Sequence, residues 1–500
     1  MTIMKKNRFA ILISFIVLLF AACGEDFLEV ESTSLISADQ IAEIAEFNPG
    51  ILGGTIRGLY FTMVAEGTGG TTRHYDFGQR AYDIWTDMQC GDMVLGNKIY
   101  GWYSDASDRT LFRDHTRTDL HYMFWRYYYR IIFAANSIIK SISNPDGTIV
   151  PERAEGRHNL GQALAMRGYA YYHLATYLST AYTPSELITP IYKDTEDEQM
   201  PRSTQQQVWD LIISDLNLAV TYLDGFTRSS KETINQDVAK GMLAYAYAWK
   251  GDNQSLDRTF TLTKEVIESG RYPIMTAAQV LGGFNNVNTP GWMWGYDITA
   301  ETGLGLISWW GQVDYYSYSY AAAGDPKVMS TELFAQIPAG DVRRQQFFNN
   351  PGHALHLIPF NKFYDAGRVP MGASRIVTAD YVFMRISEMY LLHAEAAARL
   401  GRYPEARTAL KALLAQRLTE PATSDYIDEL SGQALLDEIL LQTRKELWGE
   451  GQAMTAIKRH KVDMVFGSNH MDFPGATFSY DDITMTFKIP ENEILNNPNL

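Results

Sequence analysis

Only two cysteines occur in the 500 residues, Cys23 and Cys90, and neither belongs to a CxxC pair. A zinc site built on thiolates is therefore excluded, and a Cys23–Cys90 disulfide is open on parity alone. Cations are scarce as well. Lys and Arg number 43 against 58 Asp and Glu, a formal net charge of −15. That balance argues against nucleic acid as a partner, because phosphates need basic side chains. It also argues against electrostatic docking on anionic lipid. The apolar run from Phe9 to Ala22 has 14 residues, short of the roughly 20 that span a bilayer. Enzymatic signatures are missing: no GxSxG elbow, no HExxH, no phosphate loop and no EF-hand loop. Gly303 and Gly305 make only a fragment of a dinucleotide fingerprint, and His353 and His356 sit between Pro351 and Pro359. No carboxylate pair is singled out for glycoside hydrolysis. The expectation is a protein that is not an enzyme, with no cofactor and no metal.

Aromatic rings are abundant and unevenly placed. Trp292 to Tyr320 holds nine of them, including four of the ten Trp, together with Gly295, Gly303, Gly305 and Gly311. Glycines at that density suit turns better than a helix interior. An earlier Gly-rich segment, from Thr62 to Arg113, carries Trp85, Trp102 and Tyr103 and reads as loop with a few strand-like residues. Most of the remainder is helical. Patterning starts near Ile41 and runs through Tyr60; Asp119–Ser141, apolar on nearly every face, is expected as a buried helix. Asn159–Leu178, Gln205–Leu223 (capped by Thr204) and Leu435–Trp448 carry further apolar stripes. SNPDGT at 143–148 is a turn by its chemistry, and the acidic run Asp194–Glu198 a solvated loop.

An internal echo divides the chain. Ala244, Tyr247, Gly251, Leu256 and Phe260 recur at the same offsets as Ala394, Ala397, Gly401, Ala406 and Leu410. Small residues allow two helices to approach, and the glycine ends the first where φ must turn positive. This is the grammar of a tetratricopeptide helix pair. Between the echoes an irregular excursion of about 110 residues, Pro273 to Tyr381, is too long for an ordinary loop, so it must fold on the scaffold or carry function.

The N-terminus is an address: Lys5, Lys6 and Arg8 precede the apolar run, which ends FAAC at 20–23. It resembles a bacterial lipobox, and Gly24-Glu25-Asp26 resemble the surface-export signal of Bacteroidetes-type lipoproteins. That resemblance implies a signal peptide over 1–22 and a lipid, palmitate included, on Cys23. Cys90 is then most simply a buried free thiol.

Motifs along the chain carry a family resemblance. They are DFL at 26–28, FWRYYYRIIFAAN at 124–136, ALAMRGYAYYHLATYL at 163–178 and PRSTQQQVWDLIISDLNLAV at 201–220. YVFMRISEMYLLHAEAAARLG at 381–401, RKELWGEGQAMTAIKRH at 444–460 and the closing IPENEILNNPNL complete the set. In this order they resemble the SusD/RagB family of outer-membrane nutrient-binding lipoproteins. Gln452 and Thr455 stand where that family has Arg and Asp. The resemblance implies an all-α dominated fold: one SusD-like domain over 23–500, a tetratricopeptide-like helical scaffold with irregular segments near 62–113 and 273–380. It implies a SusC-like TonB-dependent transporter as partner and a nutrient as ligand, a glycan foremost, with a RagB-like peptide ligand or a protein-interaction scaffold as alternatives. Sugar recognition sets flat rings against the C–H faces of pyranoses. The expected ligand residues are Trp294, Tyr296, Trp309, Trp310 and Tyr315, with Trp85 and Trp102 as a second wall.

Overall fold

The computed structural model describes residue 50 and residues 52–110, 118–369 and 376–500. The N-terminal address, Cys23 and the helix expected from Ile41 to residue 49 lie outside the described residues. The scaffold begins with α1 (Leu52–Phe61) and α2 (Gln79–Gln89), then the long α3 (Thr118–Ile142), α4 (Ala154–Leu178) and α5 (Gln205–Tyr222). It continues through α6 (Gln236–Lys250) and α7 (Asn253–Glu268). After the excursion come α9 (Ile386–Arg399), α10 (Tyr403–Leu414), α11 (Gly432–Glu446) and α12 (Ala453–His460). The label α8 belongs to a short helix inside the excursion, Trp309–Val313.

Local chemistry accounts for the boundaries. Thr204 and Gln207 form a reciprocal capping box on α5, and Asn235 and Asp252 cap α6 and α7. Gly251 and Gly401 close α6 and α9 with φ of 70° and 73°, so both halves of the echo are helix pairs. The two pairs stack on each other, with the Phe260 and His393 rings 4.3 Å apart and Thr263 Oγ1 3.0 Å from His393 Nδ1. Ala394, Ala397, Leu410 and Ile439 form a second apolar core there, beside the main one.

Three motif residues join α3, α4 and α5. The Arg167 guanidinium donates to both carboxylate oxygens of Asp215 at 2.8 Å and to Asn136 Oδ1 at 2.9 Å, all three side chains buried.

The excursion is fastened by short antiparallel ladders. Strand β1 (Met93–Leu95) pairs with β5 (Lys327–Met329), and β4 (Trp292–Tyr296) pairs with β6 (Tyr381–Arg385). Strands β2 (Leu187–Pro190) and β3 (Arg202–Thr204) make a further pair, as do β7 (Met464–Val465) and β8 (Thr477–Phe478).

Two expectations are corrected. The segment 62–113 is loop for most of its described length, but it also holds an unexpected helix, α2, buried on all sides. Its polar residues hide the periodicity by bonding inside the protein: Gln79 Nε2 donates to Asp83, and Asp87 accepts from the Gly449 amide at 2.7 Å. Helix α3 is not buried all round either. Tyr122, Arg126 and Tyr129 reach the surface, and Phe133 is 58% exposed. Cys90 is a buried free thiol, pushed up well above its ordinary pKa by desolvation.

Candidate ligand-binding surface

The seven rings named from the sequence divide by depth. Trp85, Trp294, Trp309 and Trp310 are each 1% exposed, so they are core and present no face to the surface. The reason in each case is a specific partner. The Trp294 Nε1 donates to Glu232 O at 2.9 Å, and its ring packs on Tyr169 and Phe383. The Trp310 Nε1 donates to Ala379 O at 2.7 Å. The Arg80 guanidinium lies 3.8 Å over the Trp309 ring, and Phe363 meets that ring edge-on. Trp85 packs on Tyr75 and Tyr103, beneath the surface that Trp102 occupies.

Trp102, Tyr315 and Tyr296 reach the surface in part. Trp102 stacks parallel to His74, with ring centroids 5.1 Å apart and an interplanar angle of 1°. Tyr320 meets both rings edge-on, its hydroxyl 2.6 Å from His74 Nδ1. Tyr100, 61% exposed, packs against Tyr320 at 5.3 Å, and Tyr318 nearby is 46% exposed. Burial lowers the pKa of the His74 imidazole, which keeps this ring group uncharged near neutrality.

One buried carboxylate shapes the loop that carries Tyr100 and Trp102. Asp325 Oδ1 accepts the amides of Ile99 (2.5 Å) and Tyr100 (2.9 Å), and Oδ2 those of Gly101 (2.8 Å) and Trp102 (3.3 Å). Two residues on, Lys327 Nζ donates to Gln312 Oε1 at 2.7 Å, while Gln312 Nε2 donates to the His74 carbonyl at 2.8 Å. The Lys327 ammonium is fully buried, and desolvation brings it down to about 7 despite nearby Asp325. The 98–103 loop, His74 and the middle of the excursion, at Gln312, Asp325 and Lys327, are thus one hydrogen-bonded unit.

Tyr315 belongs to a second ring group with Tyr316, Phe360 and Tyr364, capped by the Arg368 guanidinium 3.3 Å above Tyr364. Asp314 holds that turn by accepting the amides of Tyr316, Ser317 and Asp365 at 2.9–3.0 Å. Burial pushes its carboxyl up to about 6 against the pull of those bonds. Tyr296 ends β4 apart from both groups, its hydroxyl pushed up to about 12 by burial beside Glu232 and Asp297.

The surface is therefore built from Trp102 and from residues outside the expected set, His74, Tyr100 and Tyr318, backed from below by the buried Tyr320 ring and the buried clasp Asp325. The YGWY run at 100–103 and the GDPK turn at 324–327 were the available signals. No spacing rule links them across more than 220 residues. His353 and His356 each use Nδ1 to accept a local backbone amide. Among the described residues no group of three or more His, Cys, Asp or Glu is placed to hold a metal ion. Nor is any described helix long and apolar enough to cross a membrane.

Comparison with known proteins agrees with this architecture. Residues 71–248 match a SusD-like family model described as starch-binding associating with outer membrane, and residues 349–500 match the SusD family model. A SusD-like protein of Bacteroides ovatus is 27% identical over 172 residues, which is 33% of this chain and 30% of that protein. Among solved structures, a SusD-like carbohydrate binding protein from Bacteroides vulgatus superposes with a TM-score of 0.74 at 24% identity. That superposition covers 90% of this chain and 97% of the other. A SusD superfamily protein from Bacteroides thetaiotaomicron gives 0.70 at 21% identity, over 89% and 97% of the two chains. One from Bacteroides fragilis gives 0.71 at 21%, over 90% and 98%. With family models matching 71–248 and 349–500, and motifs and fold in agreement, the chain belongs to the SusD-like family.

Proposed function

We propose that this protein binds a glycan on the surface formed by Trp102, His74, Tyr100 and Tyr318, backed by the buried Tyr320 ring, with the Tyr315 group as a neighbouring subsite. It then delivers that ligand to a SusC-like TonB-dependent transporter. A lipid on Cys23 tethers it to the outer membrane, facing the exterior, and residues 23–500 act as one domain. Binding and release, without bond chemistry, are its task.

The observation that carries this reading is the uncharged, pre-shaped ring surface. Stacking on His74 fixes the plane of Trp102, and four amides on Asp325 fix the loop beneath it. Flat rings suit the C–H faces of pyranoses, and the tyrosine hydroxyls suit their oxygens. A ligand meeting rings already in position loses little affinity to ordering them. The description of the family model and the name of the Bacteroides vulgatus neighbour point to carbohydrate too.

The test is electrophoresis of the soluble chain from Gly24 onward through gels containing embedded polysaccharides. Retardation by at least one glycan, reduced ten-fold or more in affinity by Trp102→Ala with Tyr100→Ala, is the expected result. Retardation by none, with peptides bound instead, would overturn the glycan reading.

A further inference from the structure

A cavity of about 540 Å³ opens between α10, α11 and the 336–341 segment of the excursion. It shares no lining residue with the ring surface. Leu414, Leu418 and Leu441 form an apolar wall, the half-exposed Tyr426 ring stands beside it, and Glu438 and Lys445 supply charge.

The charges around this cavity are unequally satisfied. Asp341 is held by the Arg343 guanidinium, which also donates to Gln442 and Glu446. Glu438 accepts from the Tyr426 hydroxyl and from Gln442 Nε2, both at 2.7 Å. Arg444 is spent on Asp92. Lys445 is different: it is 3% exposed, yet no hydrogen bond or ion pair reaches its ammonium among the described residues. Burial with Arg343 and Arg444 beside it pushes the ammonium down to about 8, while Glu438 and Asp341 pull the other way.

We infer that this cavity is a binding site for a small hydroxylated monocarboxylate, a compound of the sugar-acid class, with its carboxylate on Lys445 Nζ. One unpartnered ammonium matches one negative charge. The Glu438 carboxylate opposes a dianion such as phosphate and is free to accept a further hydroxyl. The leucine wall and the Tyr426 ring take the carbon skeleton.

The probe is D-glucuronate, with D-glucose and inorganic phosphate as controls, in calorimetric titration of the full-length mature chain. Lys445 acylation by an amine-reactive ester is followed in parallel by mass spectrometry. Glucuronate is expected to bind at least ten-fold tighter than either control and to slow Lys445 acylation three-fold or more. Lys445→Met should lose that binding with an unchanged circular dichroism spectrum. Equal binding of glucose, preference for phosphate, or unchanged acylation in the wild-type protein would each overturn the assignment. The acylation readout needs no variant, so it stands even if Lys445→Met fails to fold. Trp102→Ala should leave Lys445 protection intact, which separates this site from the ring surface.

Discussion

Trp309 and Trp102 show why a tryptophan count is an ambiguous sign of ligand binding. Both lie in ring-rich, glycine-rich segments. One is sealed under Arg80 and Phe363, whereas the other lies at the surface against His74. Composition reports the rings, but which side of the chain they face is decided by partners far away in sequence. Trp309→Ala should therefore cost about 3–5 kcal/mol of stability, the usual range for deleting a buried aromatic side chain, read from the urea midpoint. Trp102→Ala should cost much less and act mainly on ligand. Lys327 offers a pH signature. Its folded-state pKa of about 7 lies below the ordinary 10.5, so the unfolded chain holds a proton that the folded protein has released. The resulting penalty is full below pH 7 and is relieved as pH rises toward 10.5, by about 1.4 kcal/mol per unit at most. Lys327→Met should flatten the rise in melting temperature between pH 7 and 9.5, measured against the wild type by thermal denaturation.

Helices with an apolar stripe and a cap were legible in the sequence; α2, buried on every face, was not. The family motifs were legible as patterns but not as contacts, and the contacts explain them. The motif at 381–401 supplies Arg385, and the one at 444–460 supplies Glu446 and Glu450. The Arg385 guanidinium reaches Glu446 Oε1 at 2.6 Å and Glu450 Oε2 at 2.7 Å. Arg417 adds a second bond to Glu446 Oε1 at 2.7 Å, and Lys362 bonds Glu450 Oε1 at 2.8 Å. All of these groups are buried, and the arginines hold the Glu446 carboxyl well below the usual carboxylate range. Glu446→Gln leaves buried guanidinium charge uncompensated and should cost about 3–5 kcal/mol. For the same reason the wild-type contribution is complete above the ordinary carboxylate pKa of 4.5. It drains away as pH falls below that value, so the Glu446→Gln penalty should shrink in acid denaturation. Thr455, where the family has Asp, bonds back to the Gln452 carbonyl at 3.0 Å instead of joining an ion pair.

At the scale of the molecule, helix pairs form the frame and the excursion is laced to it by β1–β5 and β4–β6. The sequence echo predicted the frame because small residues and glycines recur locally. It could not predict the lacing, since a three-residue ladder between positions 93 and 329 leaves no periodic trace. The proposed lipid tether at Cys23, which lies outside the described residues, rests on the FAAC motif. Cys23→Ala should release the protein from the membrane fraction in detergent partitioning, and unchanged partitioning would refute a lipid at that position.

The Asp325 clasp has an evolutionary corollary. It grips residues 99–102 only through amides, which nearly any amino acid provides. Its hold on the loop therefore does not depend on the side chain of Tyr100, although Gly101 is needed for its φ of 81°. On the proposed glycan surface, Tyr100 is the position where a lineage changes ligand preference while the clasp beneath keeps the loop in place.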